Sequence, residues 1–320
     1  MKILFITATR VGDAVLSTGL LNHLIEQNPD AKVTVVCGPA AAGLFESLPG
    51  LDRMIILQKK PWSTHWLDMW KTCIGTFWDM VVDLRNAPIS YLLACRKSWH
   101  LGRSYLSDHR VIRMGAMLGM AVKPPEPKLW CGESHQERAL SILPNGRSTI
   151  AIAPVANWKP KTWPAVNFVD LVKRLTADNG ILPNAKIIVF GTSDERQQAT
   201  QLLEEIPDDQ LIDCMGTLSL LEIYACLERS NLFIGNDSGL MHMAAAAGVP
   251  TLGLFGPSKE TLYAPWGENA MPVRGDQGYQ DLFPEDYNYL ESDKLEMMAG
   301  LSVDRVEETA KKLWQKVHSA

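Results

Sequence analysis

The chain has 320 residues, a formal net charge of −5, and a content of 46% hydrophobic and 21% charged residues. This ordinary globular composition excludes a disordered, collagen-like or coiled-coil protein, and the length suits two domains. The sequence has no uninterrupted apolar run of membrane-spanning length and no signal-peptide pattern. The six cysteines are scattered without metal-ligand spacing, so we expect reduced thiols and a cytoplasmic protein.

Charge is divided unevenly along the chain. Residues 1–147 carry 17 basic and 12 acidic side chains, whereas the remainder carries 14 basic and 24 acidic ones. The basic excess is concentrated between residues 85 and 113, where Asp108 is the only acidic residue. Because nucleic-acid binding needs a much more basic chain, the pattern predicts a small or lipid-borne polyanion as the partner of the first half.

Short apolar runs alternate with helical patterns through the first half of the chain. These runs predict strands at residues 2–6, 32–37, 53–57 and 80–83. The helical patterns between them lie at residues 14–27, 40–48 and 63–76. The proline-rich segment 121–130 indicates a linker, which a helix at residues 133–143 follows.

A second alternating series occupies the other half of the chain. Its predicted strands lie at residues 149–153, 186–190, 211–213, 232–235 and 251–255. Its predicted helices lie at residues 165–179, 195–205, 218–228, 239–247 and 303–317. Alternating buried strands and helices predict an α/β protein with one doubly wound parallel sheet in each half and ligands at the carboxyl ends of the strands. We expect domains at residues 1–147 and 148–302, and a last helix, within residues 303–320, that packs back on the first domain.

The first predicted strand runs into Gly12-Asp13 at the start of a helix. Aspartate is among the commonest residues at helix starts, so Asp13 is consistent with a simple cap. The alternative is that its carboxylate acts as a general base towards a substrate hydroxyl. Both readings remain open from the residues alone.

Residues 235–258 combine a strand, a turn of small residues and an alanine-rich helix. Asp237, Ser238 and Gly239 form the turn, and His242 follows one helical turn later. Backbone N–H groups at such a helix start can bind a phosphate, although capping and a core imidazole explain the same residues.

Two further loops follow predicted strands. The loop at residues 154–164 contains two lysines and two tryptophans, which suit an anionic ligand that carries a ring, or a solvated basic loop. Glu195 follows another strand and either binds ribose hydroxyls or begins a helix. Neither a GxGxxG nor a Walker A pattern occurs, and no acidic or histidine cluster has metal spacing, so we expect no metal dependence.

Trp62, Trp66 and Trp70 are spaced four residues apart, the last two on the predicted helix at residues 63–76. The spacing favours a core stripe, with contact to a bilayer surface as the alternative.

Together and in this order, the motifs resemble those of the heptosyltransferases, family 9 of the glycosyltransferases. The segments that carry the resemblance are GDAVLSTGLL, DLRNAPISYLLACR, PVANWKPKTWP, NDSGLMHMAAAAGVPTLGLFGPS and the tail LSVDRVEETAKKL. Val155 stands where the family pattern has glycine, and Thr7 where it has a basic residue.

The resemblance implies a fold of glycosyltransferase B type, in which two Rossmann-like domains face a central cleft. It implies an inverting, metal-independent transfer of a sugar, expected to be heptose from ADP-heptose, to a lipopolysaccharide core or a related glycan. By that resemblance Asp13 is the catalytic base and Lys161 offsets charge on the leaving diphosphate. The implied donor-binding residues are Asn157, Glu195, Asp237, Ser238, Gly239 and His242.

The basic excess of the first half is then expected to bind an anionic, lipid-linked oligosaccharide acceptor. The candidate acceptor-binding residues are Arg10, Arg85, Arg96, Arg103, Arg110 and Arg113. Peripheral contact with the inner face of the cytoplasmic membrane accompanies such an acceptor. Two alternatives keep the fold: a nucleotide-sugar epimerase, and a non-catalytic subunit that binds a nucleotide-sugar beside an active partner.

Overall fold

The computed structural model describes residues 1–102, 106–283 and 296–319. The chain divides into two compact units, Met1–Gly132 and Glu133–Ala320. Each unit contains one parallel β-sheet with helices between its strands, which confirms the predicted α/β class.

The first unit has a five-stranded sheet in the order β3-β2-β1-β4-β5. Its strands are β1 (Lys2–Ile6), β2 (Lys32–Cys37), β3 (Leu51–Ile56), β4 (Trp78–Asp83) and β5 (Cys95–His100). Its α-helices are α1 (Val11–Glu26), α2 (His65–Cys73) and α3 (Arg110–Ala116). Short 3-10 segments lie at Pro39–Phe45, Pro61–Ser63 and Pro88–Leu92.

Strand β1 is the central strand, because it pairs in parallel with β2 on one side and with β4 on the other. Four of its five residues are fully buried. The predicted helix at residues 40–48 is a 3-10 segment that begins at Pro39. The tryptophan stripe is also interrupted, because α2 begins at His65 and leaves Trp62 outside it. Trp66 and Trp70 pack against the buried core of this unit.

The second unit has a six-stranded sheet in the order β11-β10-β9-β6-β7-β8. Its strands are β6 (Thr149–Ala153), β7 (Lys186–Val189), β8 (Leu211–Asp213), β9 (Leu232–Asn236), β10 (Thr251–Phe255) and β11 (Ala270–Arg274). Its α-helices are α4 (Glu133–Ile142), α5 (Ala165–Thr176), α6 (Thr200–Glu205), α7 (Leu220–Glu228), α8 (Gly239–Ala246), α9 (Glu260–Tyr263), α10 (Tyr279–Leu282) and α11 (Val303–His318).

The division between the units differs from the expected boundary at residue 147. Helix α4, which the sequence analysis assigned to the first domain, packs against α7 in the second unit. The last helix packs within the second unit. The buried face of α11, formed by Val306, Ala310 and Leu313, joins the core of the second unit beside α5 and β11.

Within the described ranges, no helix is long and apolar enough to cross a membrane.

Candidate functional site

In the second unit, the strand order changes direction between β6 and β9: β7 and β8 follow on one side of β6, and β9, β10 and β11 follow on the other. Crevices at such switch points, outside the carboxyl ends of parallel strands, are the usual ligand sites of open α/β sheets. Asn236 ends β9 there and is fully buried. Its amide donates to the carbonyl of Pro154 at 2.8 Å and accepts from the backbone N–H of Trp163 at 2.9 Å. This single side chain therefore fixes both ends of the loop that follows β6.

That loop brings Lys161 to a buried polar cluster at the start of α8. Lys161 Nζ lies 2.5 Å from Asp237 Oδ2, and His242 Nε2 lies 3.9 Å from Asp237 Oδ1. Asp237 and His242 are about 95% buried, whereas Lys161 remains partly exposed. The loop at residues 154–164 and the motif at residues 235–258, which the sequence analysis singled out separately, thus meet in one polar cluster at the switch point.

The turn at Ser238 and Gly239 begins helix α8. The hydroxyl oxygen of Ser238 is buried and has no hydrogen-bond partner among the described residues. A buried hydroxyl without a partner is destabilising, and the first N–H groups of a helix attract anions. The local chemistry therefore suits a phosphate group that hydrogen-bonds to Ser238 and the backbone of the turn.

The loop after β10 is held by Arg274 from the end of β11. Its guanidinium donates to the carbonyls of Gly256 and Ser258 and to both carboxylate oxygens of Glu260. Burial is the largest single influence and raises the pKa of Glu260, but the hydrogen bond from Arg274, a backbone hydrogen bond and the positive charge of Arg274 together outweigh it, so that the pKa is lowered overall. Glu260 is therefore a stable anion that keeps Arg274 in place.

The other expected donor-binding residues have more peripheral positions. Asn157 is exposed on the loop after β6. Glu195 accepts a hydrogen bond from the backbone N–H of Thr192 at 2.8 Å, so it serves in a capping box after β7. Val155, which replaces a glycine of the family pattern, points its bulk into the hydrophobic core of the unit and is 5% exposed.

The first unit has its own switch point, between β1 and β4. The chain leaves β1 and enters α1, whose N-cap is Arg10 without a side-chain bond. Asp13 is therefore not the cap residue: it lies in the first turn and is half-buried, and its carboxylate forms no hydrogen bond or ion pair with the described part of the chain. The hydroxyl of Thr7, at the end of β1, bonds that of Ser17 at 2.7 Å and so is satisfied internally.

Asp83 organises the neighbouring loop from the end of β4. This fully buried carboxylate accepts from the backbone N–H groups of Arg85 and Ala87 and from the hydroxyl of Ser90, each at 2.7 Å. The bonds fold the loop so that Arg85 is exposed, and its guanidinium lies 6.0 Å from the ring centre of Trp66.

His100 packs beside this loop from the end of β5. Its Nδ1 lies 3.3 Å from the hydroxyl of Ser90, and Tyr91 stacks on its ring at 3.7 Å between centroids. Burial lowers the pKa of His100, and the nearby charge of Asp83 only partly opposes this effect.

The expected acceptor-binding arginines do not all lie at the same edge of the sheet. Arg96 is near the amino end of β5, 4.0 Å from Asp79 near the start of β4. Arg113 donates to the carbonyl of Gly102 at 2.7 Å, and Arg110 is half-buried at the start of α3. Arg103 lies outside the described residues. Arg10 and Arg85 are the two exposed arginines that follow the central strands β1 and β4.

The sequence analysis did not identify Asn236, Asp83 and Arg274 as the residues whose hydrogen bonds hold the loops at the carboxyl edges of the two sheets. Each follows or ends an apolar strand, and a polar residue at that position is the signal that was available. Across the part of the chain that the structure describes, no group of three or more His, Cys, Asp or Glu side chains is placed to hold a metal ion.

Two α/β units, each with one parallel sheet and with polar side chains at its switch point, define a Rossmann-like fold of the kind that binds ligands at the carboxyl ends of its strands. Comparisons with known proteins identify the family. The sequence model of glycosyltransferase family 9 (heptosyltransferase) matches residues 89–286. The chain therefore belongs to glycosyltransferase family 9, the heptosyltransferase family.

The sequence identity to individual relatives is low. The chain is 25% identical to lipopolysaccharide heptosyltransferase 2 of Salmonella typhimurium, over 87% of this chain and 89% of the relative. The solved glycosyltransferase family 9 protein of Veillonella parvula superposes with a TM-score of 0.79 at 20% identity, covering 98% of this chain and 97% of that one. The ADP-heptose lipopolysaccharide heptosyltransferase II of E. coli superposes with a TM-score of 0.74 at 21% identity, covering 99% of this chain and all of that one. The prediction of an enzyme that transfers a sugar is confirmed by the family, and the epimerase alternative is not favoured.

Proposed function

We propose that this chain transfers heptose from ADP-heptose to a hydroxyl group of a lipopolysaccharide or lipooligosaccharide core, with inversion at the anomeric carbon and without a metal ion. The observation that carries the proposal is the pairing of Lys161 with Asp237 at the switch point of the second sheet, beside the start of α8. The names of the curated relatives and of the E. coli structure support this choice of donor and acceptor.

In this proposal the second unit binds the donor. The turn at Ser238 and Gly239 receives the diphosphate, because an N–H-rich helix start and a buried hydroxyl suit an anion. Asp237 and His242 hold Lys161 and the turn in position. Asn157 and Glu195 contact the nucleoside, and one oxygen of Glu195 keeps its capping bond while it does so.

The transfer is a single displacement at the anomeric carbon. The Asp13 carboxylate takes the proton of the acceptor hydroxyl, whose oxygen forms the new bond to that carbon as the bond to the diphosphate oxygen breaks. The electron pair of the broken bond leaves with ADP. Lys161 offsets the charge that builds on the diphosphate, which is the kind of electrostatic stabilisation that grows in the transition state.

The first unit binds the anionic acceptor. Arg10 and Arg85 are exposed beside the central strands and are best placed for its phosphate or carboxylate groups, with Arg110 and Arg113 further along the chain. Guanidinium groups form bidentate bonds to such anions. The reaction belongs in the cytoplasm, where a nucleotide-activated sugar is made.

Calorimetric titration of the purified protein with ADP, UDP, GDP and dTDP, with and without Mg²⁺, tests the donor assignment. We expect binding of ADP that is tighter than that of the other diphosphates and independent of Mg²⁺. Transfer is then measured by mass spectrometry with ADP-heptose and a heptose-deficient core acceptor.

A preference for UDP, or transfer of another sugar, would contradict the heptose assignment. Turnover of a nucleotide-sugar without any acceptor would favour the epimerase. Binding of ADP without transfer to any core acceptor would favour the non-catalytic subunit.

A further inference from the structure

Trp62 has an unusual conformation in the loop that follows β3. Its side chain is 97% exposed, and both Trp62 and Ser63 have a φ of 56°. A left-handed backbone is unfavourable for residues other than glycine, and above all for a bulky one. An indole is also more stable when it is buried than when it is exposed to water. Trp62 therefore has both an unfavourable backbone conformation and an unfavourable side-chain exposure.

Other large apolar side chains are exposed around the same loop. Leu67 lies in the first turn of α2 and is 48% exposed, while Tyr91 and Leu92, in the 3-10 segment after β4, are 59% and 67% exposed. Helix α2 contacts that 3-10 segment. Since the strands are parallel, the loops after β3 and β4 lie at the same edge of the sheet as Asp13, so these four residues form one surface, which we call the Trp62 surface.

The charge at the Trp62 surface is positive. Lys59, Lys60 and Arg85 are exposed there, and Asp68, which pairs with Lys60 at 2.8 Å, is the acidic residue of α2. Residues 1–132 as a whole carry 15 basic and 10 acidic side chains. The exposed aromatic and leucine side chains suit the apolar hydrocarbon layer of a lipid bilayer. The lysine and arginine side chains around them suit its layer of anionic headgroups.

We propose that the Trp62 surface docks on an anionic lipid bilayer, with Trp62 inserted at the level of the headgroups and the basic side chains against lipid phosphates. This proposal rests on the proposed function, because a lipid-linked acceptor would lie in the same membrane. The left-handed turn at Trp62 and Ser63 serves to present the indole to the lipid rather than to the core of the unit.

Vesicle flotation with the full chain tests the proposal. The vesicles contain phosphatidylethanolamine and phosphatidylglycerol, and a second set contains phosphatidylcholine alone. Trp62→Asn removes the indole but suits the left-handed backbone, so the fold is retained. Val122→Asn is the matched control, because Val122 is also fully exposed but lies on a different segment of the first unit.

We expect Trp62→Asn to lower partitioning into anionic vesicles by about tenfold, the effect of withdrawing one large aromatic side chain from an apolar environment. Lys59→Gln is expected to lower it by about fivefold, and 0.5 M salt to remove most of that difference. The wild type should bind phosphatidylcholine weakly, and Val122→Asn should behave as the wild type.

Two results would overturn the proposal. One is equal partitioning of Trp62→Asn and the wild type into anionic vesicles. The other is concentration-dependent self-association in sedimentation that Trp62→Asn abolishes while vesicle binding is absent, which would assign the surface to a second copy of the chain. Turnover separates docking from the proposed function: Trp62→Asn should be impaired on acceptor embedded in vesicles but not on a deacylated, water-soluble acceptor, whereas failure of the wild type on both acceptors would contradict only the function.

Discussion

The carboxyl edges of the two sheets are built in different ways. At the switch point of the second sheet, Lys161, Asp237 and Asn236 are joined to one another or to the backbone by short bonds and are largely buried. At the switch point of the first sheet, Arg10 and Arg85 are exposed, and the carboxylate of Asp13 forms no hydrogen bond or ion pair with the described residues. The carboxylate of Asp83 is fully buried there, and its hydrogen bonds shape the loop rather than present a charge.

The difference indicates that the second edge is assembled before its ligand arrives, because buried charges need partners within the protein. The first edge leaves its charges in water, where exposed pairs contribute little, so their contribution comes when an anionic ligand arrives. Substitutions at the second edge should therefore change both stability and binding. Substitutions at the first edge should change catalysis or binding and leave stability nearly unchanged.

The largest expected effect is at Asp13. Asp13→Asn should lower the turnover number by about 10²- to 10⁴-fold, because the amide no longer accepts the proton of the acceptor hydroxyl. Affinity for ADP by calorimetry and the free energy of unfolding in urea should stay near wild type. Turnover within threefold of wild type would exclude Asp13 as the base.

The next effect is at Lys161. Lys161→Met should lower the affinity for ADP by about tenfold and the free energy of unfolding by about 1–3 kcal/mol, since Asp237 is left buried without its charge partner.

The double variant Lys161→Met/Asp237→Asn provides the control for that loss. It removes both charges, so it should recover most of the stability, measured by urea unfolding, but none of the affinity for ADP. Recovery of both quantities would mean that the pair acts only as structural support.

A smaller effect is expected at Arg85, and it should differ from that at Arg96, another arginine of the first unit. Arg85→Gln should raise the KM for the acceptor about three- to tenfold, as expected for one exposed guanidinium that contacts an anion. Arg96→Gln is the matched control, because Arg96 lies towards the opposite edge of the sheet beside Asp79. Equal increases for the two variants would contradict the division of the arginines by edge.

The smallest effect concerns His100. Burial lowers its pKa below the ordinary value of 6.5. The unfolded chain therefore binds the proton at a higher pH than the folded one, so the stabilisation is complete above about pH 6.5 and declines as the pH falls towards the lowered pKa. Urea unfolding at pH 7.5 and 5.5 should show a larger decline for the wild type than for His100→Gln; a titration of His100 by NMR above pH 6.5 would contradict this.

The sequence predicted most strands closely, because each central strand is a continuous apolar run bounded by turn residues. Strand β5 was missed because its sequence, CRKSWH, is charged and none of its six residues is fully buried, as suits an edge strand. That omission explains the misplacement of Arg96. It was grouped with the other candidate acceptor-binding arginines, whereas its position in β5 sets it near the amino end of the sheet.

The candidate site divides in a similar way. Lys161, Asp237 and His242 were predicted from local motifs, since each lies on a recognisable loop or helix start. Asn236 and Arg274 were not, because their roles depend on partners that only the folded sheet brings near. Asn236 bonds Pro154, 82 residues away, and Arg274 reaches back to Gly256 from the next strand.

The bonds of Arg274 set a limit on how family members can be recombined. Strand β11 is at the edge of its sheet, and its arginine holds the loop that follows β10 through Gly256, Ser258 and Glu260. A chimera joined between Glu260 and Arg274 would separate the carboxylate from its cation and release both carbonyls. Crossovers meant to exchange donor preference should therefore be cut before Gly256 or after Arg274, so that this loop and its strand are inherited together.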